Sequence, residues 1–366
     1  MIPWLLACSA WWAPDHGVPE APGARAVATV VKPAQHDARW VNARCNDGTP
    51  FAYVIRGGDP DLWVIHLRGG HFCDDRTARC ADRRPRLTTT VPEADGAVVP
   101  LRRQGLFSPQ PSQNPAFHSA TVVDAHYCSS DLWLGDQTDR RPTTGDPEQG
   151  WYFSGRANVE ALFGSLVADH GLDDGSARVL VVGSSAGGAG VVGNLPTIVA
   201  RLPRSAADGR LKVLLDGSWV PEQPPERAMP NATAWGPMLP GCDQGARCAY
   251  GDVWWPHVEA LGVPVLVQQS GLDPTQTSVF GVRGADAEVR WLERAQASLE
   301  RVPWVYSHAE PYHLLALDPG WHEAPAGAPT EQSFRAVLGR FWSGAPPEQH
   351  FLGYAVAPVN GGTPGR

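Results

Sequence analysis

The stretch Arg178-Val-Leu-Val-Val-Gly-Ser-Ser-Ala-Gly-Gly-Ala-Gly190 joins an apolar, β-branched run to a serine that lies between glycines. The run Val179–Val182 is typical of a strand that is buried on both faces of a parallel sheet. Residues 191–202 then predict a helix. The pattern Gly-X-Ser-X-Gly between a strand and a helix predicts that Ser185 projects its hydroxyl above the sheet as a nucleophile. The alternative is a Gly/Ser-rich connection without chemistry, because so short a pattern also arises by chance.

Length and composition allow one large α/β domain or two smaller ones. Of the 366 residues 43% are hydrophobic, which suffices for a large core, and the scattered 35 prolines and 39 glycines predict long ordered loops. The net charge of −8, without a basic run, argues against a nucleic-acid partner. No stretch reaches the ~18 apolar residues that a membrane-spanning helix needs. We expect a single domain over 36–350 and a C-terminal tail over 351–366.

The N-terminal segment 1–35 is expected to hold a lipoprotein signal and a linker. Leu5-Leu-Ala-Cys8 resembles the lipobox of bacterial lipoproteins, in which the cysteine is lipidated after cleavage. The apolar part before Cys8 is short and lacks basic residues, so a simple apolar tail is the alternative. Repeated prolines indicate a linker from 11 to 35. We therefore expect an extracytoplasmic bacterial protein, secreted or anchored to the membrane only through a lipid on Cys8.

Seven cysteines occur in the chain. They are Cys8, Cys45, Cys73, Cys80, Cys128, Cys242 and Cys248. If Cys8 is lipidated, six remain, and the pairs Cys73–Cys80 and Cys242–Cys248 would each close a short loop. That leaves Cys45 to pair with Cys128. Three disulfides would indicate an oxidising compartment, and the alternative is six reduced thiols in the core of a cytosolic protein.

Acidic and histidine residues follow later strands in the order found in α/β-hydrolases. Asp273 ends one predicted strand, and His313 follows the next predicted strand. The chain order Ser185, Asp273, His313 is that of the nucleophile, acid and base in this fold. Two rivals stay open, namely Asp216, which lies one strand earlier, and His308, which ends the strand before His313.

The predicted strand 62–67 runs into Arg68-Gly-Gly-His-Phe-Cys73. Glycines after the first crossing strand of a hydrolase let backbone N–H groups point at a substrate oxygen, so this segment predicts an oxyanion hole. His66, His71 and Cys73 would also suit zinc. Strand and turn geometry scatter these three side chains, however, and no second cluster follows, so we expect no metal.

A second serine pair, Ser129-Ser130, follows another predicted strand, 121–128. Either serine could serve as a nucleophile, but neither lies in a glycine-flanked turn from a strand to a helix, which is called the nucleophile elbow. We expect a structural polar turn here, held by Cys128 and Asp131.

Seven short motifs occur in order within about residues 40 to 345. They are Cys45-Asn-Asp-Gly48, Leu67-Arg-Gly-Gly-His-Phe-Cys73, Asn114-Pro115, Tyr127-Cys-Ser-Ser-Asp-Leu-Trp133, Gly183-Ser-Ser-Ala-Gly-Gly188, Asp216-Gly-Ser-Trp219 and Gln269-Ser-Gly-Leu-Asp273. In this series the chain resembles the pectin acetylesterase/Notum family of serine carboxylesterases. Members of that family remove acetyl groups from plant pectin or a fatty acyl group from a secreted signalling protein.

The resemblance implies an α/β-hydrolase-like fold, with a mostly parallel central sheet flanked by helices and with long loop insertions. The implied site residues are the nucleophile Ser185, the acid Asp273, the base His313 and, as oxyanion-hole donors, the N–H groups of Gly70, His71 and Ala186. Two disulfides are also implied, Cys45–Cys128 and Cys73–Cys80. Chemistry of this kind needs no cofactor.

The chain departs from the family pattern at two places. His71 stands where the family usually has tryptophan, and the cysteine that the family carries just before its catalytic histidine is absent. A polar imidazole disfavours a long apolar chain, so we expect hydrolysis of short, acetyl-like acyl esters. The alternatives are a long-chain acyl-protein deacylase, a peptidase of the same fold and a non-catalytic glycan-binding member. We expect a monomer whose partner is an acylated polysaccharide, protein or small ester.

Overall fold

The computed structural model describes residues 27–73, 80, 83, 85–142, 148, 150–223, 239, 241–325 and 327–353. The strands of this part of the chain are β1 Val27–Val31, β2 Tyr53–Arg56, β3 Asp59–Leu67, β4 Val98–Pro100, β5 Ala120–Ala125, β6 Gln137–Arg141, β7 Trp151–Phe153, β8 Arg178–Ser184, β9 Leu211–Asp216, β10 Val265–Ser270, β11 Trp304–His308 and β12 Gln349–Leu352. Its helices are α1 Pro33–His36, α2 Gly155–Asp169, α3 Ala186–Arg201, α4 Pro203–Ala207, α5 Gly251–Glu259, α6 Pro274–Val279, α7 Ala285–Leu299 and α8 Phe334–Ser343.

One large sheet organises the described residues, with the strand order β12–β11–β10–β9–β8–β3–β5–β2–β1–β4. The neighbours from β12 to β5 all run parallel. The strands β2, β1 and β4 continue the sheet in antiparallel pairing, and β6 and β7 form a separate antiparallel pair. The carboxyl ends of the parallel strands share one edge, where such sheets collect their functional groups. The expected α/β-hydrolase-like fold is confirmed.

Successive residues of the central strands pack into two different cores. Val179 and Val181 of β8 join the core that contains α2 and α3, whereas Leu180 and Val182 join the core that contains α8. All four side chains are fully buried. A strand covered on both faces can have apolar residues at every position, which explains the continuous run in the sequence. Helix α3 begins at Ala186, earlier than the predicted start at 191, and it continues through Pro196.

The expected linker over residues 11–35 is wrong for its last part. Val27–Val31 is a strand of the large sheet, and Pro33 begins α1. The prolines indicated a linker, but they lie on either side of this short strand and do not interrupt it. Proline is favoured in the first turn of a helix, so Pro33 marks a helix start and not a linker. At the other end, β12 extends past the expected boundary at 350, while Cys8 lies outside the described residues.

Asn46-Asp47-Gly48 form a tight turn, but the residues around it do not form a regular hairpin. Gly48 has φ 89°, its N–H donates to the carbonyl of Cys45 at 3.0 Å, and an isolated bridge joins Arg44 to Pro50. The strand β2 that follows pairs with β1 and β5 of the large sheet instead. Pairing with two long-range neighbours buries more of the strand than a local hairpin would. The short strand β4 pairs with β1 and adds residues 98–100 to the same sheet.

Three disulfides join the pairs expected from the sequence. They are Cys45–Cys128, Cys73–Cys80 and Cys242–Cys248. Cys45 and Cys128 are fully buried and tie the turn after residue 45 to the polar turn after β5. Across the described residues, no helix is both long and apolar enough to cross a membrane.

Replacing Cys45 and Cys128 with alanine should lower the free energy of unfolding more than replacing Cys242 and Cys248. The first bond joins residues 83 apart in sequence, and the second joins residues 6 apart. Because the entropy that a cross-link removes from the unfolded chain grows with loop length, we expect losses of about 4–5 and about 2 kcal/mol. Denaturant unfolding without reductant measures both losses. Equal losses, or a larger loss for the short loop, would contradict this expectation.

Candidate active site

Ser185 occupies the turn between β8 and α3 with a positive φ of 54° and a ψ of −120°. Such angles are strained for a residue with a side chain, and they are the angles that an elbow requires. Glycines permit the turn: a methyl group on Gly183 would lie 2.5 Å from the carbonyl oxygen of Gly187, and one on Gly187 would collide with the carbonyl of Leu67. The helix therefore lies close against the ends of two strands, and Ser185 stands at their shared edge.

Asp273 and His313 are in direct contact, with His313 Nδ1 2.7 Å from Asp273 Oδ2. Asp273 follows β10 and caps α6, because its Oδ1 accepts the N–H groups of Thr275 at 2.8 Å and Gln276 at 3.2 Å. The Gln269 amide donates to Asp273 Oδ2 at 3.3 Å. The carboxylate is fully buried and held by these donors. It can therefore fix the orientation of the imidazole ring.

The charge around His313 favours the protonated ring. Burial opposes protonation, but the hydrogen bond and charge of Asp273, together with the charge of Asp216, raise the pKa of His313 above 6.5. In the neutral ring, an Nδ1–H that donates to Asp273 leaves Nε2 free to accept a proton. The arrangement is that of a general base held by a carboxylate.

His308, the alternative to His313, has a different environment. It ends β11, is only 2% exposed and packs against Tyr306 and Tyr312. Neither ring nitrogen has a hydrogen-bond partner among the described residues. Burial lowers the pKa of His308 to about 4. The carboxylate of Asp273 is thus bonded to His313 and not to His308 at the strand end.

The segment after β3 lies against the serine elbow. A methyl group on Gly69 would lie 2.6 Å from the Ser184 carbonyl oxygen and 2.7 Å from Ser185 Cβ, so only glycine permits this approach. His71 has a φ of 62°, unusual for a residue with a side chain. Arg83, which the sequence did not indicate, donates to the Gly70 carbonyl at 2.5 Å. Ala186 begins α3, and the N–H groups at the start of a helix can bind a negatively charged group.

A buried chain of hydrogen bonds beneath the elbow was missed by the sequence reasoning. Arg68 donates to both oxygens of Asp124, and Asp124 Oδ1 lies 2.9 Å from His66 Nδ1. His66 Nε2 lies 3.0 Å from Ser184 Oγ, which donates to Asp216 Oδ2 at 3.2 Å. The available signal was the presence of polar residues inside otherwise apolar strands. His66, singled out as a candidate zinc ligand, is a member of this chain and lies between two side-chain partners.

Asp216, the rival acid, binds backbone groups instead of a histidine ring. Its carboxylate accepts the N–H of Leu315 at 3.0 Å and that of Ala316 at 3.2 Å. Both donors belong to the loop that carries His313. The carboxylate of Asp273 is thus the one bonded to the imidazole.

Ser129 and Ser130 belong to a structural turn, as expected. Ser129 Oγ donates to Asp131 at 2.6 Å, and the Asp131 carboxylate also accepts the N–H groups of Trp133 and Gly155. Ser130 Oγ donates to the Leu87 carbonyl. Both serines are fully buried, so neither hydroxyl is exposed to a substrate.

NMR titration of the histidine rings should separate His313 from His308. We expect His313 to titrate above 6.5 and its pKa to fall in Asp273→Asn, because the variant removes a negative charge and a strong acceptor. His308 should stay neutral through the neutral pH range in both proteins, which makes it the internal control. An unchanged His313 titration in Asp273→Asn would contradict the contact described above.

Comparison with known proteins points to one family. The profile of the pectinacetylesterase family matches residues 25–225 of this chain. The palmitoleoyl-protein carboxylesterase NOTUM of Schmidtea mediterranea is 26% identical over 317 residues, which cover 76% of this chain and 57% of that protein. The Drosophila melanogaster protein of the same name is 30% identical over 270 residues, covering 68% and 38%. The chain thus spans roughly half, or less, of the length of these relatives.

A solved structure extends the similarity to the whole fold. The crystal structure of the Wnt deacylase Notum from Drosophila superimposes with a TM-score of 0.68 at 25% identity, covering 88% of this chain and 94% of that chain. The residues matched by the family profile include β8 and the Ser185 turn. This chain belongs to the pectinacetylesterase family.

Proposed function

We propose that this protein is a serine carboxylesterase that hydrolyses an acyl ester through an acyl-enzyme intermediate. The observation that carries the proposal is the 2.7 Å contact between Asp273 and His313, at the same sheet edge as the strained Ser185. Membership of the pectinacetylesterase family and the carboxylesterase names of the relatives support it. In this proposal Ser185 is the nucleophile, His313 the base and Asp273 the acid.

In the first half of the reaction, Ser185 Oγ attacks the ester carbonyl carbon while His313 Nε2 takes the hydroxyl proton. Asp273 accepts the Nδ1–H and stabilises the imidazolium that forms. The carbonyl oxygen becomes negative and is bound by N–H groups, which we assign to Gly70, His71 and Ala186. The bond to the alcohol then breaks, and the alcohol leaves with the proton from Nε2.

In the second half, water repeats the attack on the acyl-enzyme. His313 Nε2 takes a proton from the water as its oxygen bonds to the acyl carbon. The bond to Ser185 Oγ breaks, the proton returns to the serine, and the carboxylic acid is released. No cofactor is required by this sequence of steps.

For the substrate, we propose a short acyl group such as acetyl. His71 brings a polar ring to the proposed oxyanion segment, next to Phe72, and a polar ring is a poor neighbour for a long alkyl chain. The second candidate is a long-chain acyl-protein deacylase, favoured by the name palmitoleoyl-protein carboxylesterase that the relatives carry. The two candidates share the proposed acyl-enzyme chemistry and differ in the length of the acyl group.

For the location, we propose an oxidising compartment outside the cytoplasm. Three disulfides support it, because such bonds are rare in reducing compartments. Lipidation of Cys8 and a monomeric state remain predictions. The relatives named above are animal proteins, so the bacterial origin expected from the N-terminal pattern has no support from them.

Ser185→Ala should abolish ester turnover and labelling by a fluorophosphonate probe while the protein stays folded. Loss of a triad member removes about 10⁴-fold or more of the rate in enzymes of this type. Ser129→Ala is the control, because that serine was a rival nucleophile and is hydrogen-bonded within a buried turn. Undiminished labelling of Ser185→Ala would refute the proposed nucleophile. Absence of turnover on any ester by the wild-type protein would favour a non-catalytic binder.

A panel of nitrophenyl esters from acetyl to palmitoyl should show the highest kcat/KM for acetyl to butyryl. Each methylene that an apolar pocket buries is worth up to about 0.8 kcal/mol, so a deep apolar pocket would give a steady rise with chain length. His71→Trp, which restores the residue usual in the family, should move the preference toward longer chains. A rise toward palmitoyl in the unmodified protein would favour the long-chain deacylase.

A further inference from the structure

Asp216 is bonded to both halves of the proposed site. Its backbone carbonyl accepts the N–H of Ser185 at 2.8 Å. Its carboxylate accepts the N–H groups of Leu315 at 3.0 Å and Ala316 at 3.2 Å, which follow His313 in the chain. A single residue at the end of β9 thus connects the serine turn to the loop of the proposed base.

The next residue brings the base loop closer still. Gly217 has a φ of 66°, and a methyl group there would collide with the carbonyl oxygen of His313. The Gly217 N–H donates to the Gln268 carbonyl at 3.0 Å, which fixes the turn to β10. The backbone of His313 therefore lies directly against the Asp216-Gly217 turn.

The other side of the Asp216 carboxylate is fixed by buried groups. Ser184 Oγ donates to Oδ2 at 3.2 Å, and His66 Nε2 lies 3.0 Å from that hydroxyl. Asp216, Ser184 and His66 are 1%, 2% and 3% exposed. Since both oxygens of the carboxylate accept hydrogen bonds, it has little freedom to rotate, and the loop bonded to it is held in turn.

We propose that Asp216 is a positioning residue, which holds the His313 loop in register with the Ser185 turn and presents a negative charge to the imidazolium formed during the reaction. The inference rests on the proposed ester hydrolysis. It assigns Asp216 no contact with substrate, and Asp273 remains the carboxylate that binds the ring.

The charges around these groups agree with the geometry. Burial raises the pKa of Asp216 to about 6, against the opposing effects of its backbone donors, His313 and Ser184. The charged groups that act on His313 are Asp273 and Asp216. The titratable groups that reach Asp216 are His313 and, through the Ser184 hydroxyl, His66. Above about pH 6 the carboxylate is ionised and favours a protonated His313.

The test compares Asp216→Asn with Asp131→Asn on an ester that the wild-type protein hydrolyses. Asp131 is a matched control, because it is equally buried, accepts two backbone N–H groups and one serine hydroxyl, and has a pKa that burial raises to about 6. None of its hydrogen bonds reaches the His313 loop. Both variants lose one negative charge and one side-chain oxygen that can accept a hydrogen bond, so both should lower the melting temperature.

In Asp216→Asn we expect kcat to fall roughly 10- to 100-fold, because a small displacement of a reacting group has effects of that size. Loss of the negative charge lowers the pKa of His313, so the acidic limb of the kcat/KM profile should move to lower pH by at least ~0.5 unit. In Asp131→Asn the limb should stay where it is. A merely structural role for Asp216 would lower stability and kcat without moving the limb.

Ser184→Ala provides a milder variant in case Asp216→Asn does not fold. It keeps both backbone bonds of Asp216 but removes a donor from the carboxylate, which raises the pKa of Asp216 and reduces its charge near neutral pH. The acidic limb should then move in the same direction by a smaller amount. An unmoved limb in a folded variant overturns the inference even if the wild-type protein is an esterase. Absence of ester turnover by the wild-type protein would instead overturn the proposed function.

Discussion

Neighbouring parallel strands lie about 4.8 Å apart, and this spacing determines where the groups of the site can stand. In the observed register Ser184 of β8 is opposite Asp216 of β9, and Asp216 is opposite Gln268 of β10. Three strands therefore end side by side, and the residues just beyond them share one edge. His313 is different because it lies on a loop. That loop is held by the bond of His313 to Asp273 and by the bonds of Leu315 and Ala316 to Asp216, together with the Ala316 carbonyl, which accepts the N–H of Leu106.

The sheet face beneath this edge changes from apolar to polar along the strands. Leu180, Val182 and Leu214 pack with α8 in an apolar core, and the next positions on the same face include Ser184 and Asp216. A buried polar group without a partner would cost about 1–3 kcal/mol. Here the side chains are bonded to one another from Arg68 to Asp216. The apolar core ends where these hydrogen-bonded side chains begin. The groups beneath the elbow are therefore held in place by hydrogen bonds and not by apolar packing.

The sequence predicted those parts of the site that depend on local backbone geometry or on chain order. The turn at Ser185 requires glycines on both sides, and this pattern is visible in the sequence. Asp273 and His313 follow successive strands in the expected order. The strand β1 was missed because its five residues are too short for a clear pattern beside prolines. The roles of Gly69 and His66 were missed because their partners are far away in sequence. Hydrogen bonds across the sheet leave no periodic signal in the chain.

The same limit explains why chain order left two candidate acids. Asp216 ends β9 and Asp273 follows β10, and both are buried and accept two backbone N–H groups. The donors to Asp273 come from the first turn of its own helix, which leaves Oδ2 available for the imidazole. The donors to Asp216 come from residues 99 and 100 positions away, in the His313 loop, so both of its oxygens are occupied by backbone and by Ser184. Asp273 accepts N–H groups from its own helix and still has an oxygen for the imidazole. Asp216 uses its oxygens to hold a loop that is distant in sequence. The origin of the donors therefore distinguishes the proposed acid, Asp273, from the proposed positioning residue, Asp216, whereas their order in the chain does not.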